Sequence, residues 1–307
     1  MRRTDRERRD PRSSRMHKLA PLWLAAALAT AQTPAVPPPN KIPDDLQRLA
    51  ADVEKAHWPD GPQARVTSLE AAMQLHVKAK NQEQGQVDIT LRYLEWRAPD
   101  AKKPRPLLRY EVVDQGTPIV RGNDGSGPWQ LVRGEARDMF SADMQQDLAQ
   151  FEKHTNLVKQ LLRFLAPGDV LRSLQKPGGV GEEKLAVTIE KDVDCRTVSG
   201  ELPAFPLLQQ AGEDAPVALK VWVEKSTNQL IAVDIWPLRD GKKDETRGER
   251  VLLGSRRVRG GFLVPLRLEH LYRLPDGSLS LQSQADLTSL ELGPALTVEE
   301  FDRTRRR

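Results

Sequence analysis

The chain has 307 residues, enough for one large domain or two ordinary ones with a sizeable core in either case. A net charge of +4 and a pI near 9.2 invite a nucleic-acid reading, but the charge is unevenly placed. Of 47 Lys+Arg and 43 Asp+Glu, 8 and 3 lie in residues 1–31, leaving 39 bases against 40 acids, so no basic nucleic-acid-binding face is expected.

Residues 1–15 are arginine-rich and too poor in apolar residues to join a core. Met16 opens a different pattern: His17 and Lys18, the apolar run Leu19 to Leu28, then Ala29-Thr30-Ala31. A charged stretch, a short apolar stretch and an A-x-A site have the form of a secretory signal peptide, so residues 1–31 are expected to be removed, leaving Gln32 first. Met16 reads as the true start, with a long n-region as the alternative. Ten or so apolar residues are too few to span a bilayer, and no cysteine follows the cleavage site to be lipidated. Residues 32–43 form a linker whose stretch Thr33 to Pro39 is proline-rich. Asp44-Asp45 then begin a helix with apolar positions Leu46, Leu49, Ala50 and Val53, broken by Trp58-Pro59-Asp60-Gly61-Pro62.

From Val66 the period becomes two. Leu69, Ala71, Met73, Leu75 and Val77 share one face, and Val87, Ile89, Leu91 and Tyr93 repeat the pattern against Asp88, Thr90 and Arg92. Such alternation indicates an antiparallel sheet with one apolar and one wet face, the two runs joined across Asn81 to Gly85. Further strands are predicted at Leu107–Asp114, Thr117–Gly122 and Trp129–Arg133, with a turn at Asn123-Asp124-Gly125. After a helical interruption the alternation resumes at Leu185 to Val193, Val217 to Val223, Leu230 to Pro237, Arg250 to Val258, Phe262 to Leu274 and Leu279 to Leu290. That makes about eleven strands, nearly all meander-connected. The expected fold is mainly β with helices: an open, strongly curved antiparallel half-barrel forming a single domain over 44–302, ahead of a basic tail at 303–307.

The interruption, 135–175, is the only long helical pattern after the leader. Met144, Leu148, Phe151, Val158, Leu161, Leu162 and Leu165 recur at helical spacing, and Leu157 and Phe164 widen the stripe toward the C-terminal half. A narrow stripe suits a helix lying on a surface, and a widened one suits a helix end pushed into a hollow. Ala166-Pro167-Gly168 should stop it. Asp169 is then placed to cap a short helix from Val170 to Leu174. The reading is of a lid or plug whose N-terminal half, with Gln145, Gln146, Asp147 and Gln150, is loosely held.

A search for chemistry finds little. His17, His57, His76, His154 and His270 fall on different elements without paired metal spacing, and His270 reads as a single half-exposed strand histidine. Gly122 to Gly127 has neither the Walker lysine nor Rossmann spacing and is better read as a hairpin turn. The lone Cys195 excludes an intramolecular disulfide and a thiolate cluster and reads as a small core residue. Trp222 and Trp236 are out of phase with their strands' apolar sets, which places them on the convex face under the Asp44 helix or the proline-rich segment. No nucleophile is assembled with a base, and no enzyme, cofactor or metal is expected.

Gly85-Gln86, Arg97-Ala98-Pro99, Leu108-Arg109-Tyr110-Glu111, Ile119-Val120, Asp124-Gly125 and Trp129 follow one another as a glycine, a strand, a basic-x-proline turn, an arginine-bearing strand and a D-G…W hairpin. This succession resembles the LolA/LolB-like family of periplasmic lipoprotein carriers, over Gly85 to about Leu174. The resemblance implies a half-barrel crossed by helices, a periplasmic or secreted location, and an apolar hollow holding acyl chains of lipids or lipoproteins. Inner- or outer-membrane lipoprotein-sorting proteins are the implied partners, and a monomer is expected. The residues placed on the hollow are Met73, Leu75, Ile89, Leu91, Tyr93, Phe151, Leu161, Phe164 and Leu165. Burying a long acyl chain there contributes roughly 0.8 kcal/mol per methylene before binding costs. Two alternatives remain open: a lipoprotein-sensing protein, and a structural envelope protein whose half-barrel is filled by its own side chains.

Overall fold

The computed structural model describes residues 42–59, 66–77, 85–97, 104–114, 117–188, 191–208, 214–259 and 262–303. The expected signal peptide, most of the expected linker, the turn residues Ala98 and Pro99 and the end of the basic tail lie outside the described residues. So do most of the Asn81 to Gly85 connection and the break after Pro59.

Helix α1 (Asp44–His57) precedes six strands, β1 (Ser68–Val77), β2 (Gly85–Trp96), β3 (Arg105–Asp114), β4 (Thr117–Asn123), β5 (Pro128–Val132) and β6 (Glu135–Asp138). A 3-10 turn (Ala142–Met144), helix α2 (Gln145–Leu165) and helix α3 (Pro167–Arg172) follow. The second series is β7 (Gly181–Thr188), β8 (Lys191–Phe205), β9 (Ala215–Glu224), β10 (Leu230–Arg239), β11 (Lys242–Lys243), β12 (Glu249–Arg259), β13 (Phe262–Arg273) and β14 (Leu279–Leu292).

All fourteen strands belong to one sheet in the order β6-β5-β4-β3-β2-β1-β14-β13-β12-β10-β9-β8-β7, with β11 attached to β10. The chain runs outward from the centre to one edge at β6, crosses by the helices, and returns from the opposite edge at β7. The two halves are joined where β1 pairs antiparallel with β14, from Leu69↔Leu292 to Val77↔Ser283. The result is an open antiparallel half-barrel with a helical insertion.

Fourteen strands among the described residues, rather than about eleven, arise for physical reasons. All four residues of β6 are exposed, so it carries no alternation, and Glu135 begins a strand rather than the helical stretch. β11 has two residues. The run read as one strand through Leu185 and Val193 is two, because the chain reverses between β7 and β8, with Leu185 paired to Val193.

The alternating sets point as the pattern requires. Leu69, Ala71, Met73, Leu75, Ile89, Leu91 and Tyr93 enter one large core on the concave side, while Asp88 and Thr90 are exposed. α1 sends Leu46, Leu49, Ala50 and Val53 into the same core. It therefore does not cover the outer tryptophans. Lysine and arginine side chains lie over them: Lys220 Nζ and Arg250 Cζ stand 4.3 and 5.3 Å from the Trp222 ring centre, and Lys243 and Arg273 flank Trp236, while the proline-rich segment lies outside the described residues. Cys195 is buried beside Trp222 in this small outer cluster, where burial pushes its thiol pKa up.

α2 ends at Leu165, but no flexible break follows. α3 starts at Pro167 itself, whose missing N–H and fixed φ suit the first helical position, so Asp169 lies in the first turn rather than capping it. Gly168 is required for closeness: a Cβ there would stand 3.1 Å from the Glu54 Cβ and 3.2 Å from the Ala50 carbonyl oxygen, so α3 packs directly on α1. Trp58 Nε1 donates to the Leu165 carbonyl at 3.0 Å, satisfying one of the open carbonyls at the end of α2.

After β14 the chain folds back over the outer face of the first half. Ser68 Oγ donates to the Pro294 carbonyl at 2.8 Å, Arg92 pairs with Glu300 at 3.5 Å, and Phe301 is fully buried. Arg303, assigned from sequence to the basic tail, pairs with Asp124 at 2.7 Å and Asp138 at 2.6 Å. The D-G…W hairpin thus anchors this strap, and Trp129 lies so close over Gly122 that a Cβ there would meet its ring at 2.5 Å.

Candidate functional site

α2 crosses the concave face. Its N-terminal half lies over β3 and β4, where Phe151 stacks on Tyr110 with ring centres 5.6 Å apart. Its C-terminal half lies over β8, β12 and β13, with Phe164 and Phe205 ring centres 6.5 Å apart. All nine residues placed on the hollow from sequence meet in the one core cluster beneath it. Phe164 and Leu161 are 1 % exposed, so in this state α2 fills much of the hollow itself.

Beside the filled part an open cleft of about 950 Å³ remains between α2, the ends of α1 and α3, and the β2–β3 wall. Tyr93, Phe151 and Leu165 line it, joined by Trp58, Val66, Pro106, Leu108, Val158 and Leu162. Met73, Leu75, Ile89 and Leu91 do not reach its wall and are packed beneath α2, whose own Leu161 and Phe164 point down into the same core rather than into the cleft. The volume lies within the range of small-ligand sites, roughly 300–1,000 Å³.

Two buried polar groups hold α2 in place, and neither was singled out in the sequence. Arg121, 3 % exposed, points inward from β4; it pairs with Asp147, donates to Gln150 at 3.1 Å and is bonded to Gln130. The N-terminal half of α2 is therefore latched, not loosely held. Burial, helped by the Arg121 charge, pushes the nearby His154 pKa down to about 4. Under the other half, Gln160 Nε2 donates to the Pro206 carbonyl at 2.9 Å and to Glu249 at 3.2 Å, and its Oε1 lies 3.0 Å from His270 Nε2. His270 is 1 % exposed, not half-exposed, and burial lowers its pKa to about 3, keeping it neutral. Asn156, one turn earlier, donates to the Leu207 carbonyl at 2.9 Å. The signal was present in the strand phase: Arg121 is in step with Ile119, Glu249 with Val251, and His270 with Leu268, each a polar residue at an apolar position.

Among the described residues no group of His, Cys, Asp and Glu could hold a metal ion, and no helix is long and apolar enough to cross a membrane. Fold and site together define an open antiparallel half-barrel crossed by helices that leave a cleft of mixed apolar and charged lining at their flank.

No protein-family model matches the chain, and no curated protein matches it. Among solved structures it is similar to a DUF1329 family protein from Desulfovibrio piger, at 12 % identity over 84 % of this chain and 95 % of that one, with a TM-score of 0.44. It is also similar to a putative outer membrane lipoprotein-sorting protein domain from Vibrio parahaemolyticus, at 12 % identity over 84 % and 98 %, TM-score 0.43. A LolA superfamily protein from Nitrosomonas europaea is similar at 13 % identity over 84 % and 97 %, TM-score 0.38.

Proposed function

We propose that this chain is a non-enzymatic binding or carrier protein, exported to the periplasm by a cleaved signal peptide, that holds acyl chains of a lipid or lipoprotein. The observation that carries the reading is the cleft, whose apolar wall of Tyr93, Leu108, Phe151, Val158 and Leu162 continues into the core under α2. An apolar chain in such a trough binds through area alone, about 0.8 kcal/mol per buried methylene, and needs no special polar chemistry. Met73, Leu75, Ile89, Leu91, Leu161 and Phe164 become accessible to cargo only when α2 lifts, which makes α2 a lid. Lipoprotein-sorting proteins of either membrane are the delivery partners on this reading, and the working unit is a monomer.

One observation favours a second reading. The hollow is filled by its own side chains, as a structural or lipoprotein-sensing envelope protein would have it. Native mass spectrometry of protein purified from a periplasmic extract separates the two. Co-purifying lipid mass is expected for the carrier; a clean apo mass, with no binding of added lipid, would leave the self-filled scaffold.

A further inference from the structure

We infer that the cargo of the cleft carries an anionic head group, a phosphate or a carboxylate, that seats on Arg163; this rests on the cleft being an acyl-chain site. Three cations line the cleft. Lys159 Nζ lies 2.8 Å from Asp214, and Arg172 pairs with Glu54 and, at 3.1 Å, with Asp169. Of the four carboxylates on the wall, three are thus matched, and the fourth, Glu95, accepts from the Tyr93 hydroxyl at 3.3 Å. Arg163 is exposed, and its guanidinium has no hydrogen bond or ion pair among the described residues.

Its place along the helix matters. Phe151, Val158, Leu162 and Leu165 form an apolar line along the cleft side of α2, and from Phe151 to Leu165 the helix rises roughly 21 Å. A long acyl chain laid along that line, tail toward Phe151, puts its head in the last turn of α2, where Arg163 stands. A guanidinium offers a phosphate or carboxylate two parallel donors, so this end of the trough recognises an anionic amphiphile over a neutral one of equal chain length. A cation in the last turn is also favoured by the helix dipole, so binding rather than stability separates the two roles.

The test uses displacement of Nile red, an uncharged apolar dye, from the purified protein by dodecyl phosphate and by monolaurin, which share a twelve-carbon chain. Dodecyl phosphate should displace the dye at roughly tenfold lower concentration. Arg163→Gln should shrink that preference to about twofold or less with the monolaurin curve unchanged and the melting temperature lowered only slightly, Arg163→Lys should keep most of it, and inorganic phosphate alone should displace nothing. A wild-type protein with no preference, a preference that survives Arg163→Gln, or displacement by inorganic phosphate overturns the inference while leaving the acyl-chain reading standing. Failure of the dye and both amphiphiles to bind overturns both.

Discussion

His270 sits among apolar side chains with its Nε2 against Gln160, and its proton uptake is tied to folding. Its pKa in the folded state is about 3, against an ordinary value of 6.5, because burial opposes the charged form. A depressed histidine pKa means that the unfolded chain binds the proton first. Stability is therefore intact above about pH 6.5 and is lost as pH falls from there toward 3, by up to roughly 1.4 kcal/mol per pH unit. His270→Gln is expected to be less stable than wild type at pH 7.5, where the Gln160 contact is disturbed. It should then lose less stability between pH 7.5 and pH 5, and denaturant midpoints at the two pH values measure the difference. Equal losses in both proteins would mean that His270 is not what titrates. That His270, Glu249 and Arg121 point inward follows from strand phase; that each meets a polar partner does not, because those partners, Gln160 and Asp147, come from a helix elsewhere in the sequence.

At the scale of the element, α2 is held by two means with different consequences. The polar contacts at Arg121 and at Gln160 fix its position, and Phe164 supplies bulk under its C-terminal half. Removing the ring leaves a cavity in a closely packed layer, so Phe164→Ala should cost about 3–5 kcal/mol. If α2 is a lid over a ligand hollow, the same change enlarges the hollow and should raise the affinity for an apolar fluorescent probe. Loss of stability without any gain in probe binding would make Phe164 core only. The end of α2 at Leu165 was legible from Pro167, since proline restricts the residue before it. The rigid corner that follows was not legible. A glycine after a proline reads as freedom, yet here Gly168 serves the contact of α3 with α1, two helices more than a hundred residues apart in sequence.

For the whole molecule, the strap after β14 ties the outer face of β1 to β5. Phe301 is buried there, away from the main core, while Arg303 reaches Asp124 and Asp138 from a partly exposed position. Burial and surface charge differ in magnitude, so the two residues should differ in effect. Phe301→Ala is expected to lower stability by about 3–5 kcal/mol. Arg303→Ala should lower it by about 1 kcal/mol, since solvent screens its pairs. Urea denaturation of the two variants measures both, and a Phe301→Ala protein as stable as Arg303→Ala would show that the strap contributes little.

What the sequence determined by itself is what short-range periodicity can encode: which strand residues face the concave side, where α1 and α2 run, and that one helical stretch divides two series of antiparallel strands. Alternation works because successive side chains of a strand point to opposite faces and only one face here is dry. The joining of the halves at Leu69↔Leu292, the folding back of the strap onto Asp124, the polar latches under α2 and the cleft at its flank were decided only in three dimensions. Each brings together residues that share no local pattern. Their energies come from burial and hydrogen bonding between distant segments, which exist only once the sheet has curved around the helix.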